Sequence, residues 1–161
     1  MGIAYLLTGS NLGERASGLQ EANALIAQNC GKILYRSSLY ETAPWGLLEQ
    51  PSFLNQAIAV ETTLKPEELM QALLKIETQM GRVRDTRYGP RIIDLDILLF
   101  DQVIMDQPIL KLPHPALPQR RFALTPLAEI APTLLHPVLQ KNILELLAEC
   151  PDNSDVQKKI Q

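Results

Sequence analysis

Residues Arg87 to Phe100 read "RYGPRIIDLDILLF". From Ile92 onward nearly every side chain is aliphatic or aromatic, the composition of a strand in the middle of a sheet. Asp94 and Asp96 interrupt that run. Side chains two apart on a strand share a face, so the two carboxylates project together, and Ile93, Leu95, Ile97 and Leu99 are expected to form the opposite, core-facing side. Two like charges that close repel, and a hard divalent cation between them removes the conflict: magnesium is commonly bound by one or two carboxylates plus phosphate oxygens of a substrate. The alternative reading of the same pattern is a pair of aspartates salt-bridged to neighbouring arginines on a solvated sheet face.

The arginines lie immediately upstream. Four of the eight in the chain, Arg82, Arg84, Arg87 and Arg91, fall within ten residues, in a segment with "GP" and little apolar content. This reads as a loop whose guanidinium groups do not serve packing. A charge run is often only a solvated surface. Next to an Asp-x-Asp pair it suits a phosphate chain, because arginine and magnesium together stabilise transferring phosphoryl groups. No Walker A segment is present, since "GSNLG" lacks the lysine and the spacing.

Further upstream, "PEELMQALLKIETQMG" (66–81) has the signals of a helix: proline at its first position, two glutamates in the first turn and a terminal glycine. Leu69, Leu73, Ile76 and Met80 share one face, extended by Met70 and Leu74. Glu77 falls on that buried side and therefore needs a hydrogen-bonding partner. "IAYLLTG" (3–9) predicts a first strand, followed by a helix from about Glu14 to Gln28. "KILYRSSLYET" (32–42) and "FLNQAIAVET" (53–62) predict two strands of a long hairpin around the loop "APWGLLEQPS". Phe53 and Asn55 share one side of their strand near Trp45, and an aromatic slab with an amide in register suits a flat heterocycle; Phe53 as core and Asn55 as an edge polar residue is the competing reading. After the aspartate strand come proline-punctuated "PHPALPQRRFALTPLAEIAP" and a last helix, "LQKNILELLAEC". Residues 1–150 are expected to make a single domain, and 151–161 a flexible polar tail.

Strand, helix, strand, strand, helix, strand is the ferredoxin-like α+β arrangement, an antiparallel sheet with helices packed on one face. A net charge of −3 and a pI near 5.4 give no overall attraction for nucleic acid or an anionic membrane. No window reaches the run of apolar residues a membrane helix needs, and the N-terminus reads as a buried strand and not as a leader or lipid anchor. Two cysteines and two histidines are too few for a disulfide framework or an imidazole-rich metal site. A cytoplasmic monomer is expected.

Together, "GSNLG", "ETAPWG", "QPSFLNQA", "KIETQMGRVR", "YGPRIIDLDILLF" and "LPHPALPQRRFALTPLAEIAP" closely resemble the 6-hydroxymethyl-7,8-dihydropterin pyrophosphokinase family of folate biosynthesis. The resemblance covers about the first 132 residues, and "GPRxxDLDIL" followed by "PHPxxxxRxF" is its most specific part. It implies a ferredoxin-like fold and transfer of pyrophosphate from ATP to the pterin's hydroxymethyl oxygen, with two magnesium ions and AMP as the other product. By matching positions, it implies that Asp94 and Asp96 hold both metals and that Arg82 and Arg91 contact the phosphates. Arg84 and Tyr88 belong to the loop over the nucleotide, His114 and Arg120 bind ATP, and Glu77 lies on the nucleotide side. Thr42, Ala43, Trp45, Phe53, Asn55 and Phe122 line the pterin pocket. Phe53 stands where the family commonly has tyrosine, Tyr88 where it has tryptophan, Trp45 where it has leucine, and Ile109 where a basic residue can help hold ATP. Lys111, two residues on, is the expected substitute for that charge.

Two other classes compete. An RNA-binding ferredoxin-like module would present aromatics and a basic face, which Asp94, Asp96 and the acidic pI oppose. A magnesium-dependent phosphohydrolase would share the carboxylates and arginines but needs no pocket for a heterocycle.

Overall fold

The computed structural model of the 161-residue chain describes residues 1–11, 13–42, 52–81 and 93–159. Among these the elements run β1 (Gly2–Ser10), α1 (Arg15–Asn29), β2 (Lys32–Arg36), β3 (Tyr40–Thr42), β4 (Phe53–Thr62), α2 (Pro66–Gln79), β5 (Asp94–Phe100), β6 (Met105–Asp106), β7 (Lys111–Leu112), α3 (Arg121–Ile130), α4 (Ile143–Glu149) and β8 (Val156–Lys158). The main sheet is antiparallel in the order β5-β1-β4-β3-β8, with β2 paired to the far half of β4. The short β6–β7 hairpin stands apart.

The ferredoxin-like expectation holds for the first five long elements. Leu19, Ala22 and Ile26 of α1, with Leu69, Leu73 and Ile76 of α2, pack on one sheet face against Leu6, Ile58, Leu95 and Ile97. The start of α2 is fixed by the Glu68 carboxylate, which accepts from the Lys65 N–H at 2.8 Å. Its end is fixed by Gly81, whose φ of 91° lies in the left-handed region. Gly31, joining α1 to β2, is required for a different reason: a Cβ there would lie 2.1 Å from the Glu61 carbonyl oxygen.

Five details differ from the sequence expectations. The strand expected over 32–42 is two strands, because Ser37 replaces part of the ladder with side-chain bonds. Its hydroxyl accepts from the Ala57 N–H at 3.0 Å, and its carbonyl accepts from Gln56 Nε2 at 2.8 Å. The alternation in β5 also breaks. Ile97 pairs with Leu6 and Leu99 with Tyr5, so Leu98 is the extra residue of a β-bulge and the later side chains change sides. Leu99 therefore joins Leu98 on the face opposite α1 and α2, and Phe100 takes its place in the first core.

Helices also cover part of that second face. Ala123, Leu124 and Leu127 of α3, with Ile143 and Leu146 of α4, pack on Leu7, Ala57, Leu98 and Leu99. The stretch containing α3 has the prolines of a loop, and Pro126 lies inside the helix. A mid-helix proline costs roughly 3 kcal/mol, whereas burying two leucines returns about 1.5–3 kcal/mol each, so packing prevails. α4 begins only at Ile143 because Asn142 caps it, its Oδ1 accepting from the Glu145 N–H at 2.9 Å.

The tail expected to be flexible from Pro151 instead returns to the sheet. Val156, Gln157 and Lys158 pair with Thr42, Glu41 and Tyr40, and the Lys159 N–H donates to the Leu39 carbonyl at 2.8 Å. β3 has backbone groups to satisfy on its outer side, and a lysine-bearing polar strand suits a sheet edge as well as it suits disorder.

Candidate active site

Register across the sheet assembles the site. Gly9 of β1 stands opposite Asn55 of β4 on one side and opposite Asp94 of β5 on the other, while Leu7 stands between Ala57 and Asp96. Directly opposed residues in antiparallel strands share a face. Asn55, Gly9 and Asp94 therefore form one row on the face away from α1 and α2. β3 extends it, with Tyr40 opposite Asn55 and Thr42 opposite Phe53.

Gly9, in the middle of the row, has no side chain. The Asn55 amide takes part of the space one would need: a Cβ on Gly9 would lie 2.4 Å from Asn55 Nδ2. Asn55 is buried, its Nδ2 donates to the Thr8 carbonyl at 3.3 Å, and its Oδ1 receives no donor among the described residues. A buried acceptor left without a donor costs about 1–3 kcal/mol, so a ligand N–H placed there would be favoured. Thr42 is buried and Phe53 half-buried beside it. Gly9 was not singled out from the sequence. The available signal was a glycine ending an otherwise bulky strand, which marks a close approach of other groups.

Asp94 and Asp96 lie half-buried on one face of β5, as their spacing predicts. Behind them Glu77 of α2, 2% exposed, accepts from the Leu95 N–H at 2.8 Å. β5 is the outer strand of the sheet on this side, and Glu77 satisfies a backbone donor on its flank. The carboxylate that looked misplaced on a buried helix face thus holds the residue between the two aspartates. Among the described residues no cluster of three or more metal-ligating side chains occurs. Two carboxylate donors alone fit magnesium, a hard ion that keeps waters and takes substrate phosphate oxygens.

His114 and Arg120 come to the same end of the sheet. The His114 N–H donates to the Leu98 carbonyl at 2.9 Å, which ties the histidine to β5 at its bulge. Its Nδ1 accepts from the Ala116 N–H at 3.1 Å, so the proton of the neutral ring resides on Nε2. Burial pushes the imidazole down to about 4, with the Arg120 guanidinium adding to the fall and the Asp94 carboxylate opposing it. His114 is therefore a neutral Nε2–H donor at ordinary pH. The Arg120 guanidinium carbon lies 5.5 Å from the Phe122 ring centroid, within cation–π range. Phe122 packs against the core under α3, on the face that carries Asn55.

Lys111 lies three residues before His114. It is exposed on β7, 3.8 Å from Asp106 across the hairpin. Ala43, Trp45, Arg82, Arg84, Tyr88 and Arg91 lie outside the described residues.

Comparison with known proteins is consistent with this geometry. The family model of 7,8-dihydro-6-hydroxymethylpterin-pyrophosphokinase (HPPK) matches residues 5–132. A Bacillus subtilis 2-amino-4-hydroxy-6-hydroxymethyldihydropteridine pyrophosphokinase is 45% identical over 129 residues, covering 80% of this chain and 77% of the relative. A Pseudomonas aeruginosa protein of the same name is 44% identical over 148 residues, covering 91% of each. Among solved structures, a Plasmodium falciparum HPPK-DHPS superposes with a TM-score of 0.73 at 18% identity, covering 92% of this chain and 45% of that longer one; this likeness concerns the fold. The chain belongs to the 7,8-dihydro-6-hydroxymethylpterin-pyrophosphokinase family.

Proposed function

We propose that this chain transfers pyrophosphate from ATP to 6-hydroxymethyl-7,8-dihydropterin, giving the pterin diphosphate and AMP, on the sheet face that carries Asn55 and Asp94. The observation that carries this reading is the row Asn55, Gly9, Asp94. It sets a buried amide two strand spacings, about 10 Å, from the carboxylate pair, a separation that suits a heterocycle at one end and a phosphate chain at the other.

Asn55 accepts a pterin N–H on its unpartnered Oδ1, Thr42 adds a polar wall, and Phe53 and Phe122 hold the ring by stacking. Ala43 and Trp45 complete this pocket. His114 donates Nε2–H to the nucleotide and Arg120 adds fixed positive charge. Arg84, Tyr88 and Lys111 serve the nucleotide as well. Asp94 and Asp96 hold two magnesium ions, which supply charge neutralisation on the phosphates. Arg82 and Arg91 meet the charge that develops as the pterin hydroxyl oxygen bonds to the β-phosphorus and the bond to the AMP oxygen breaks. The hydroxyl proton leaves to solvent or to a carboxylate of the pair. Little covalent assistance is needed: in-line positioning is worth roughly 7 to 11 kcal/mol. The protein acts as a cytoplasmic monomer on small molecules, without nucleic acid or membrane.

Titration calorimetry tests the binding half. Pterin is expected to bind measurably, and more tightly with a nonhydrolysable ATP analogue and magnesium present. Pterin binding absent under both conditions contradicts the reading.

A further inference from the structure

The polar segment after α4 contacts both structures that wall the pterin pocket. At its start, Asp152 Oδ2 accepts from the Arg121 N–H at 3.0 Å. Arg121 is the first residue of α3, directly before Phe122, so a residue outside the helix supplies the cap that the helix lacks: its own N-cap position, Arg120, makes no side-chain cap bond. The Asp152 carboxylate is itself fixed, with Oδ1 accepting from the Ser154 N–H at 2.9 Å and also from the Ser154 hydroxyl. Four residues later, Val156 pairs with Thr42 at the end of β3. The intervening chain spans at most about 14 Å.

The opposite end of α3 is tied to β3 separately. Glu129 accepts from the Tyr40 hydroxyl at 2.6 Å and from the Ser38 N–H at 2.9 Å. With the C-terminal end of α3 fixed there, Asp152 holds the N-terminal end, where Phe122 sits.

We propose that the segment from Asp152 to Lys158 is a positioning element for the pterin pocket, setting the gap between Thr42 and Phe122 by holding β3 with one end and the start of α3 with the other. The proposal rests on the reading above that these two residues line that pocket. Asp152 is a positioning residue and touches no substrate. Its loss leaves the start of α3 uncapped, and the freedom so gained must be given up when the pterin binds between the two walls. The nucleotide carboxylates on β5 have no such dependence, and of the nucleotide side only Arg120, directly before Arg121, shares it in part, so the pterin side is affected more.

The test compares Asp152→Ala and Asp152→Asn with the parent chain, measuring dissociation constants for 6-hydroxymethyl-7,8-dihydropterin and, separately, for a magnesium-bound nonhydrolysable ATP analogue. Asp152→Ala is expected to weaken pterin binding by about five- to tenfold while the analogue's constant, which feels only the adjoining Arg120, changes by no more than about threefold. Asp152→Asn keeps one oxygen that can cap Arg121 but gives up the Ser154 bonds, and is expected to restore pterin affinity in part. A general loss of stability would weaken both ligands or neither. Equal changes for both, no change for either, or failure of asparagine to restore affinity each overturns the proposal. If the parent chain binds no pterin, the functional reading itself has failed; if it binds and the alanine variant is indifferent, only the positioning role has failed.

Discussion

Glu77 Oε2 accepts a hydrogen bond from the backbone N–H of Leu95 at 2.8 Å, the residue flanked by Asp94 and Asp96. One bond thus joins the end of α2 to the centre of the carboxylate pair. The chain holds the strand that carries the pair through a backbone N–H between the two aspartates.

Replacing Glu77 exposes that dependence. Glu77→Ala leaves the Leu95 N–H without this acceptor and is expected to destabilise the protein by about 1–3 kcal/mol, read from urea denaturation. Glu77→Gln retains a side-chain oxygen able to accept and is expected to cost less. Equal losses for the two would show that the carboxylate's charge, and not its hydrogen bond, matters at this position.

The aspartates should behave in the opposite sense. Asp94→Asn and Asp96→Asn are each expected to reduce turnover nearly to background, yet to leave thermal stability without magnesium equal or higher, because like-charge repulsion is relieved. Near-normal turnover of both at saturating magnesium would remove them from the metal site.

Gly9→Ala tests the role of Asn55. Its φ is not in the left-handed region that favours glycine, so alanine is compatible with the backbone. The added methyl would nevertheless meet the Asn55 amide. A stability loss of about 1–3 kcal/mol is expected as the buried Asn55 amide leaves the Thr8 carbonyl, with the protein still folded and its pterin affinity lowered by about tenfold or more. Unchanged affinity would show that Asn55 does not hold the ligand.

What could be read in the sequence was local in origin. The face shared by Leu69, Leu73 and Ile76, and the common side of Asp94 and Asp96, follow from helix and strand periods alone. The elements missed depend on partners far along the chain. The break at Ser37 needs Gln56 and Ala57, the change of side in β5 needs the bulge opposite Tyr5 and Leu6, and β8 needs the open edge of β3. α3 forms despite Pro126 because a second apolar surface, from Leu7, Ala57 and Leu98, awaits it. In the site, the residue types were legible from motifs, but the unpartnered Oδ1 of Asn55 and the close approach of its amide to Gly9 arise only from register between strands.

The pH response of His114 follows from its lowered pKa. The folded imidazole titrates at about 4 and the unfolded one near 6.5, so its contribution to stability is fully present above about pH 6.5 and is lost progressively as pH falls toward 4. Residue-resolved NMR titration should show the His114 ring neutral at pH 6. A midpoint at or above 6.5 would contradict the buried Nε2–H donor.

Product analysis tests the central claim most directly. An ordinary kinase attacks the γ-phosphorus and releases ADP, whereas the pyrophosphate transfer proposed for this chain attacks the β-phosphorus and releases AMP. With ATP, magnesium and 6-hydroxymethyl-7,8-dihydropterin, AMP and pterin diphosphate should form in equal amounts, with little ADP or free phosphate. Stoichiometric ADP, or phosphate released without need of the pterin, would contradict it.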